Sequence, residues 1–177
     1  MSVTTRSWQK LLLFCSGLFL AAAFCMKWME PDLVSAGAPF TIIGLEVSYP
    51  AEKVMAVLTG LDDRVRTILQ YHLHFDFVFM AGVYPGIAAL CAWAARRRTP
   101  SLFRNLLLTM AALQIVAWGC DIAENSYLLN WIKHAQAIAD FGRYHLVVFT
   151  KWILALLGVV LALLGFVWPQ RKTRHAA

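Results

Sequence analysis

Charge is scarce in this sequence: only 15% of its 177 residues are Asp, Glu, Lys or Arg, and 10 are acidic. A soluble domain carries about 25% charged residues, so the water-soluble globular class is excluded first. No Cys-x-x-Cys occurs, which leaves dithiol redox chemistry without support. Nor is there a phosphate loop, a nucleotide fingerprint, a nucleophilic triad or an H-E-x-x-H zinc signature. Internal repeats and low-complexity tracts are absent too, which excludes solenoids and linker-like chains. The 4 cysteines say little. Cys25 and Cys120 are placed to bridge in an oxidising compartment, but buried free thiols acting as small apolar groups are the expected state.

What the chain has instead is apolar length. Hydrophobic residues make up 60% of it and the mean hydropathy is +0.61. Four stretches, 11–28, 73–95, 103–123 and 144–168, are long enough for a hydrocarbon core that needs roughly 20 helical residues. The expected fold is an all-α membrane protein, a four-transmembrane-helix bundle forming a single membrane domain over 1–177. Arg6 and Lys10 precede the first span, Arg96, Arg97, Arg98 and Arg104 fill the second-to-third connection, and Arg171, Lys172 and Arg174 follow the fourth. The positive-inside rule puts all three groups on the cytoplasmic side only if both termini lie there, which an even number of spans also requires. The expected location is a prokaryotic cell membrane, multi-pass. The net charge of +6 then sits against anionic lipid head groups rather than nucleic acid. A cleavable signal over the first span is the competing reading, because LAAAFC approximates a lipoprotein site. Phe24 before the cysteine, the length of the stretch and the interfacial pair Lys27–Trp28 favour a retained span.

The long segment 29–69 is expected to form a small cap on the outer side. Within it, TIIGLEVSY is rich in β-branched residues and predicts a short strand or extended stretch. Pro50 starts a helix through AEKVMAVLT that stops at Gly60, and Asp62 caps a further helix leading into span two. Asp62 and Asp63 in GLDDR are thereby explained without phosphate or metal chemistry. Gly82 and Gly86 in GVYPG allow close helix approach, and Pro85 should bend the span beside Tyr84. The span three to four connection is expected over 124–143.

Polar groups gather at one depth. Asp121 lies about 27 Å along span three at 1.5 Å per residue, in the outer part of the bilayer, followed by Glu124 and Asn125 in CDIAENSYLL. His72 and Asp76 stand at i, i+4 at the outer end of span two, with His74 pointing away. Gln114, Trp118, Asp121 and Asn125 fall on one stripe of span three, and Tyr144, Val148 and Lys151 on one face of span four. Arg143 and His145 stand at the start of that last span. An ionisable residue in a membrane faces the bundle interior and pairs, so Lys151 is expected to meet Asp121 or Glu124, with Asp76 as competitor. The excess of carboxylates calls for Arg143, for protons, or for a cation or a positive substrate group. His72, Asp76, Asp121, Glu124 and His145 are ligand types for a divalent metal such as zinc, and they are the candidates for that cofactor. Interfacial hydrogen bonding is the plainer role for the histidines, and a structural ion-pair network is the plainer role for the charged groups.

HFDFVFMAGVYPG, with Glu46 in LEVS before it and CDIAENSYLL after it, resembles a group of bacterial four-helix membrane proteins without assigned activity. The resemblance covers spans two and three and part of the cap. It implies that Glu46, Asp76, Tyr84, Asp121, Glu124 and Asn125 belong together, and no reaction. The expected role is an outward-facing intramembrane site, built from these residues with Lys151 and His72, that binds a cation or a polar lipid head group. A carboxylate–histidine pair there has general acid and base capability. The alternatives are a non-catalytic helper or scaffold subunit, meeting another membrane protein or itself, and proton or small-cation transport. Transport is weakened because the cytoplasmic half offers little beyond Gln114 and Asn105 to carry charge.

Overall fold

The structure is a computed structural model that describes residues 3–99, 101–134, 138 and 140–167. The expected anchor Trp168–Pro169 and the basic residues Arg171, Lys172 and Arg174 lie outside the described residues, as does the side chain of Arg6. Helices dominate: α1 (Val3–Met29), α2 (Ala51–Thr59), α3 (Asp63–Arg96), α4 (Leu102–Lys133) and α5 (Phe141–Val167). All but α2 are long and apolar enough to cross a membrane, as the hydropathy pattern predicts.

Local chemistry sets the helix starts. The Asp62 side chain accepts from the Val65 backbone N–H at 2.7 Å, and Ser101 does the same for Arg104 at 3.3 Å. Two long helices exceed their hydropathy windows. α3 begins at Asp63, with no break between the capping segment and the span. α4 continues to Lys133, so CDIAENSYLL is helix interior and the α4–α5 link is confined to 134–140. The window ended early because Asp121, Glu124 and Asn125 lower the hydropathy, although their side chains are turned inward and buried.

Segment 30–62 covers one end of the bundle. A 3-10 turn at Glu30–Asp32 leads into a two-residue antiparallel pairing of β1 (Val34–Ser35) with β2 (Ala38–Pro39), register Val34 to Pro39. The strand expected in TIIGLEVSY does not form. A π-helical turn, Gly44–Ser48, replaces it. The Tyr49 ring folds back over the turn onto Gly44, where an added Cβ would stand 2.4 Å from Tyr49 Cζ. The turn then points Glu46 into the bundle, which an extended strand ending at Pro50 would not favour. Leu33, Leu45 and Leu58 join Leu69, Leu128, Trp131 and Tyr144 in one buried core, and the Tyr144 hydroxyl donates to the Leu45 carbonyl at 3.2 Å.

α3 is the central helix and packs on α1, α4 and α5, while α4 and α5 pack together. α1 rests on α3 alone among the long helices with which it packs appreciably. The crossing is at Gly82, where an added Cβ would stand 2.6 Å from the Phe19 nitrogen and 2.8 Å from the Cys15 carbonyl. α1 lies along α3 with a cleft on either side, one toward α4 and one toward α5. At the end opposite the cap, Arg96 lies over Trp8, Arg97 over Trp93 and Phe166, and Arg98 donates to the Gly165 carbonyl at 2.7 Å. The start of α1, the α3–α4 connection and the end of α5 therefore share one end of the bundle.

Candidate functional site

Lys151 is the centre of the site. Ten residues into α5, about 15 Å from its first residue, it is held by a helix that is otherwise strongly apolar. Its ammonium stands 2.7 Å from Asp121 Oδ1, 2.7 Å from Glu124 Oε2 and 3.4 Å from Glu46 Oε2. The Asp121 contact has hydrogen-bond geometry. The Glu124 contact is close but off that line, and neither Glu124 carboxylate oxygen has a hydrogen-bond partner among the described residues. Coulomb attraction therefore accounts for that pairing. All four residues are buried, Glu124 completely.

A second group flanks the first. The Tyr84 hydroxyl donates to Asp121 Oδ2 at 2.7 Å, so Asp121 is held from two sides, by α3 and by α5. Asn125, one turn along α4 from Asp121, donates to Asp76 Oδ2 at 2.8 Å and to the Leu73 carbonyl at 3.3 Å. The i, i+4 spacing of Asp121 and Asn125 thus serves two carboxyl clusters with one helix face. His72 is buried one turn before Asp76, and its Nδ1 has no partner among the described residues. Glu46 belongs to the cap. Burial pushes its carboxyl above the usual carboxylate range, Lys151 pulls it down and Asp121 adds to the rise.

Four buried carboxyl groups, Glu46, Asp76, Asp121 and Glu124, face a single buried ammonium. That imbalance carries the chemistry, because buried anions in excess recruit protons or cationic partners. The expected contribution of Arg143 does not occur: it is exposed and its partner is Asp140, at 3.5 Å. His145 is also elsewhere, stacked on Phe141 at a centroid distance of 4.4 Å. Among the described residues no trio of His, Cys, Asp and Glu is arranged to hold a metal ion. The physical reason is visible in the cluster. The Lys151 ammonium occupies the point where the carboxylates of Asp121, Glu124 and Glu46 converge, which is the point a cation would take.

The site opens into a cleft of about 380 Å³ between α1, α3 and α5. Glu46, His72, Asp76, Tyr84, Asp121 and Lys151 line its polar end, the Lys27–Glu30 pair borders it, and Phe19, Ala23, Val83, Ile87, Ala155 and Val159 are among its apolar lining. Of the residues singled out in the sequence, Glu46, Tyr84, Asp121, Glu124 and Lys151 come together through direct contacts, Asp76 and Asn125 form a second bonded pair beside them, and Asp76 and His72 line the same cleft. Two features were not read from the sequence: the hydrogen bond by which Tyr144, expected on the face of Lys151, ties the cap to α5, and the wall of the cleft that α1 supplies. Only the small pair Gly82 and Gly86 pointed to a close neighbour for α3, without saying which helix it was. No protein-family model, curated protein or solved structure matches the chain, so these contacts stand on their own geometry.

Proposed function

We propose that this four-helix membrane protein binds the polar head of a membrane-dissolved molecule at the Glu46–Asp76–Asp121–Lys151 cluster. The observation that carries the reading is the cleft: a buried ion-pair network that only held helices together would gain nothing from an apolar cavity leading to it. The supported volume, about 380 Å³, falls at the small end of ligand pockets, which run from about 300 to 1,000 Å³. Asp121, fixed by Tyr84 and Lys151, supplies charge in a set position, and Asn125 orients Asp76. The protein belongs in a cell membrane with both termini on the cytoplasmic side and the cap on the outer face. Arg96, Arg97 and Arg98 at the end opposite the cap support that orientation. A reporter fused at Arg97 should register as cytoplasmic, and one in α2 as extracytoplasmic.

The head-group reading is favoured over transport by the rest of the bundle. Gln114 is the one buried polar residue among the described residues on the far side of the cluster from the cap, and its amide nitrogen is spent on the Leu154 and Met110 carbonyls at 3.0 and 3.3 Å. A conducting path needs polar groups through the whole thickness. A scaffold role remains the competing reading, and one experiment separates them. Native mass spectrometry of protein purified gently from membranes should show a co-purifying small molecule on the wild type. The Asp121→Asn variant, nearly isosteric and still able to accept from Tyr84, should lose it while melting as a folded protein. Retention of the molecule by that variant, or its loss only together with folding, favours the scaffold.

A further inference from the structure

We infer that the ligand is a single-chain amphiphilic amine, taken sideways from the lipid phase through the gap between α1 and α5; this rests on the head-group reading above. The gap follows from the packing. α1 leans on α3 at Gly82 and makes no comparable contact with α5, so Ala23 and Met26 on one side and Ala155 and Leu156 on the other face each other across an open cleft. Both walls are helices long and apolar enough to cross a membrane, and Leu156 is 57% exposed, so the gap between them faces the lipid phase, while Lys27 and Glu30 line the cleft near the cap.

The sign of the head group follows from charge. Glu46, Asp76 and Asp121 reach the polar end of the cleft, where Lys151 is the one buried cation among the described residues and is already shared by Asp121, Glu124 and Glu46; Lys27 and Glu30, which also line the cleft, pair with each other. An anionic head would add to uncompensated negative charge in a low-dielectric site, whereas an ammonium offsets it. His72 is 2% exposed, lines the same cleft, and its Nδ1 lacks any partner among the described residues. Asp76, one helical turn away, supplies the counter-charge. The chain then lies along Phe79, Val83 and Ile87 of α3, which span about 12 Å of helix rise. One chain fills a cleft of about 380 Å³; a second chain of a two-chain lipid has no place in it.

The test uses the full chain in a nonionic detergent with dodecylamine, dodecanoate and dodecanol as probes, read by native mass spectrometry and by ligand-dependent melting. Dodecylamine is expected to bind at least tenfold more tightly than dodecanoate or dodecanol. Ala155→Phe and Ala23→Phe, which fill the groove from opposite walls, should each weaken it at least tenfold, and Leu20→Phe, on the exposed face of α1, should not. Dodecanoate binding as well as the amine overturns the charge assignment. Dodecylamine binding untouched by both groove variants overturns the lateral groove, and leaves the head-group reading standing. No binding of any probe, while the co-purifying molecule is still lost from Asp121→Asn, overturns the amine proposal alone. Failure of that Asp121→Asn experiment overturns the head-group reading itself.

Discussion

Replacing Lys151 with Met keeps most of the side-chain volume and removes the positive charge. Its ammonium lies 2.7 Å from Asp121, 2.7 Å from Glu124 and 3.4 Å from Glu46, so three buried carboxylates lose their counter-ion at once. A unit pair at about 4 Å is worth roughly 4 kcal/mol at an effective dielectric of about 20, but burying the charges cancels much of that gain. Removing one partner of a buried pair costs about 3–5 kcal/mol, and proton uptake by the stranded carboxylates limits the loss to that range. For a chain of this size each kcal/mol moves the melting midpoint by about 2–4 °C, so Lys151→Met should lower it by roughly 6–20 °C. Thermal unfolding in detergent, followed by intrinsic fluorescence, measures the shift. Adding Asp121→Asn to Lys151→Met should recover part of the loss, with a coupling energy of about 1 kcal/mol or more. A midpoint within about 2 °C of wild type for Lys151→Met would refute the reasoning, because the ammonium would then be compensated by solvent and not by these carboxylates.

Three further outcomes follow from single contacts. Tyr84→Phe removes a hydrogen bond to a buried carboxylate and should cost about 1.5–3 kcal/mol in the same assay. Gly82→Leu forces atoms into the α1 backbone and should destabilise by about 1–3 kcal/mol, whereas Gly17→Leu, with nothing within 4 Å of its Cβ position, should be neutral. The third concerns pH. Glu46 faces Lys151 from α5, Asp121 and Glu124 from α4 and Asp76 from α3, and its carboxyl is raised above the usual value of 4.5. The folded chain therefore binds a proton that the unfolded chain has released, so the Glu46 contribution is fully present below about 4.5 and is lost as pH rises through the folded value. The midpoint of wild type relative to Glu46→Gln should fall as pH is raised above 4.5; a relative rise would show that the Lys151 ion pair outweighs burial.

How much of this was legible in the sequence differs by interaction range. Hydropathy placed four helices because burial in lipid demands apolar residues on every side, and that signal needs no partner. Helical phase then put Asp121 and Asn125 on one face and Lys151 on another. The pairing followed because an ion in hydrocarbon has few alternatives. The end of α4 was misjudged for the same reason, since a hydropathy window cannot tell an inward-facing carboxylate from one that marks the membrane boundary. Glu46 was accessible only through resemblance: its turn is closed by Tyr49 over Gly44, a contact that no periodicity encodes. The cleft was the least legible feature. An apolar helix such as α1 has lipid-compatible residues all round, so the sequence does not say which face meets α3 or that α1 packs little on α5.

The central claim is that the buried charges bind something, beyond holding the helices together. Exchanging the partners, Lys151→Glu with Glu124→Lys, keeps one ammonium among the same carboxylates but moves it from α5 to α4. The measurement is the amount of co-purifying molecule on that double variant, alongside its melting midpoint. The midpoint should lie well above that of Lys151→Met, with the molecule absent. A double variant that melts like wild type and still carries the molecule in full would contradict that claim.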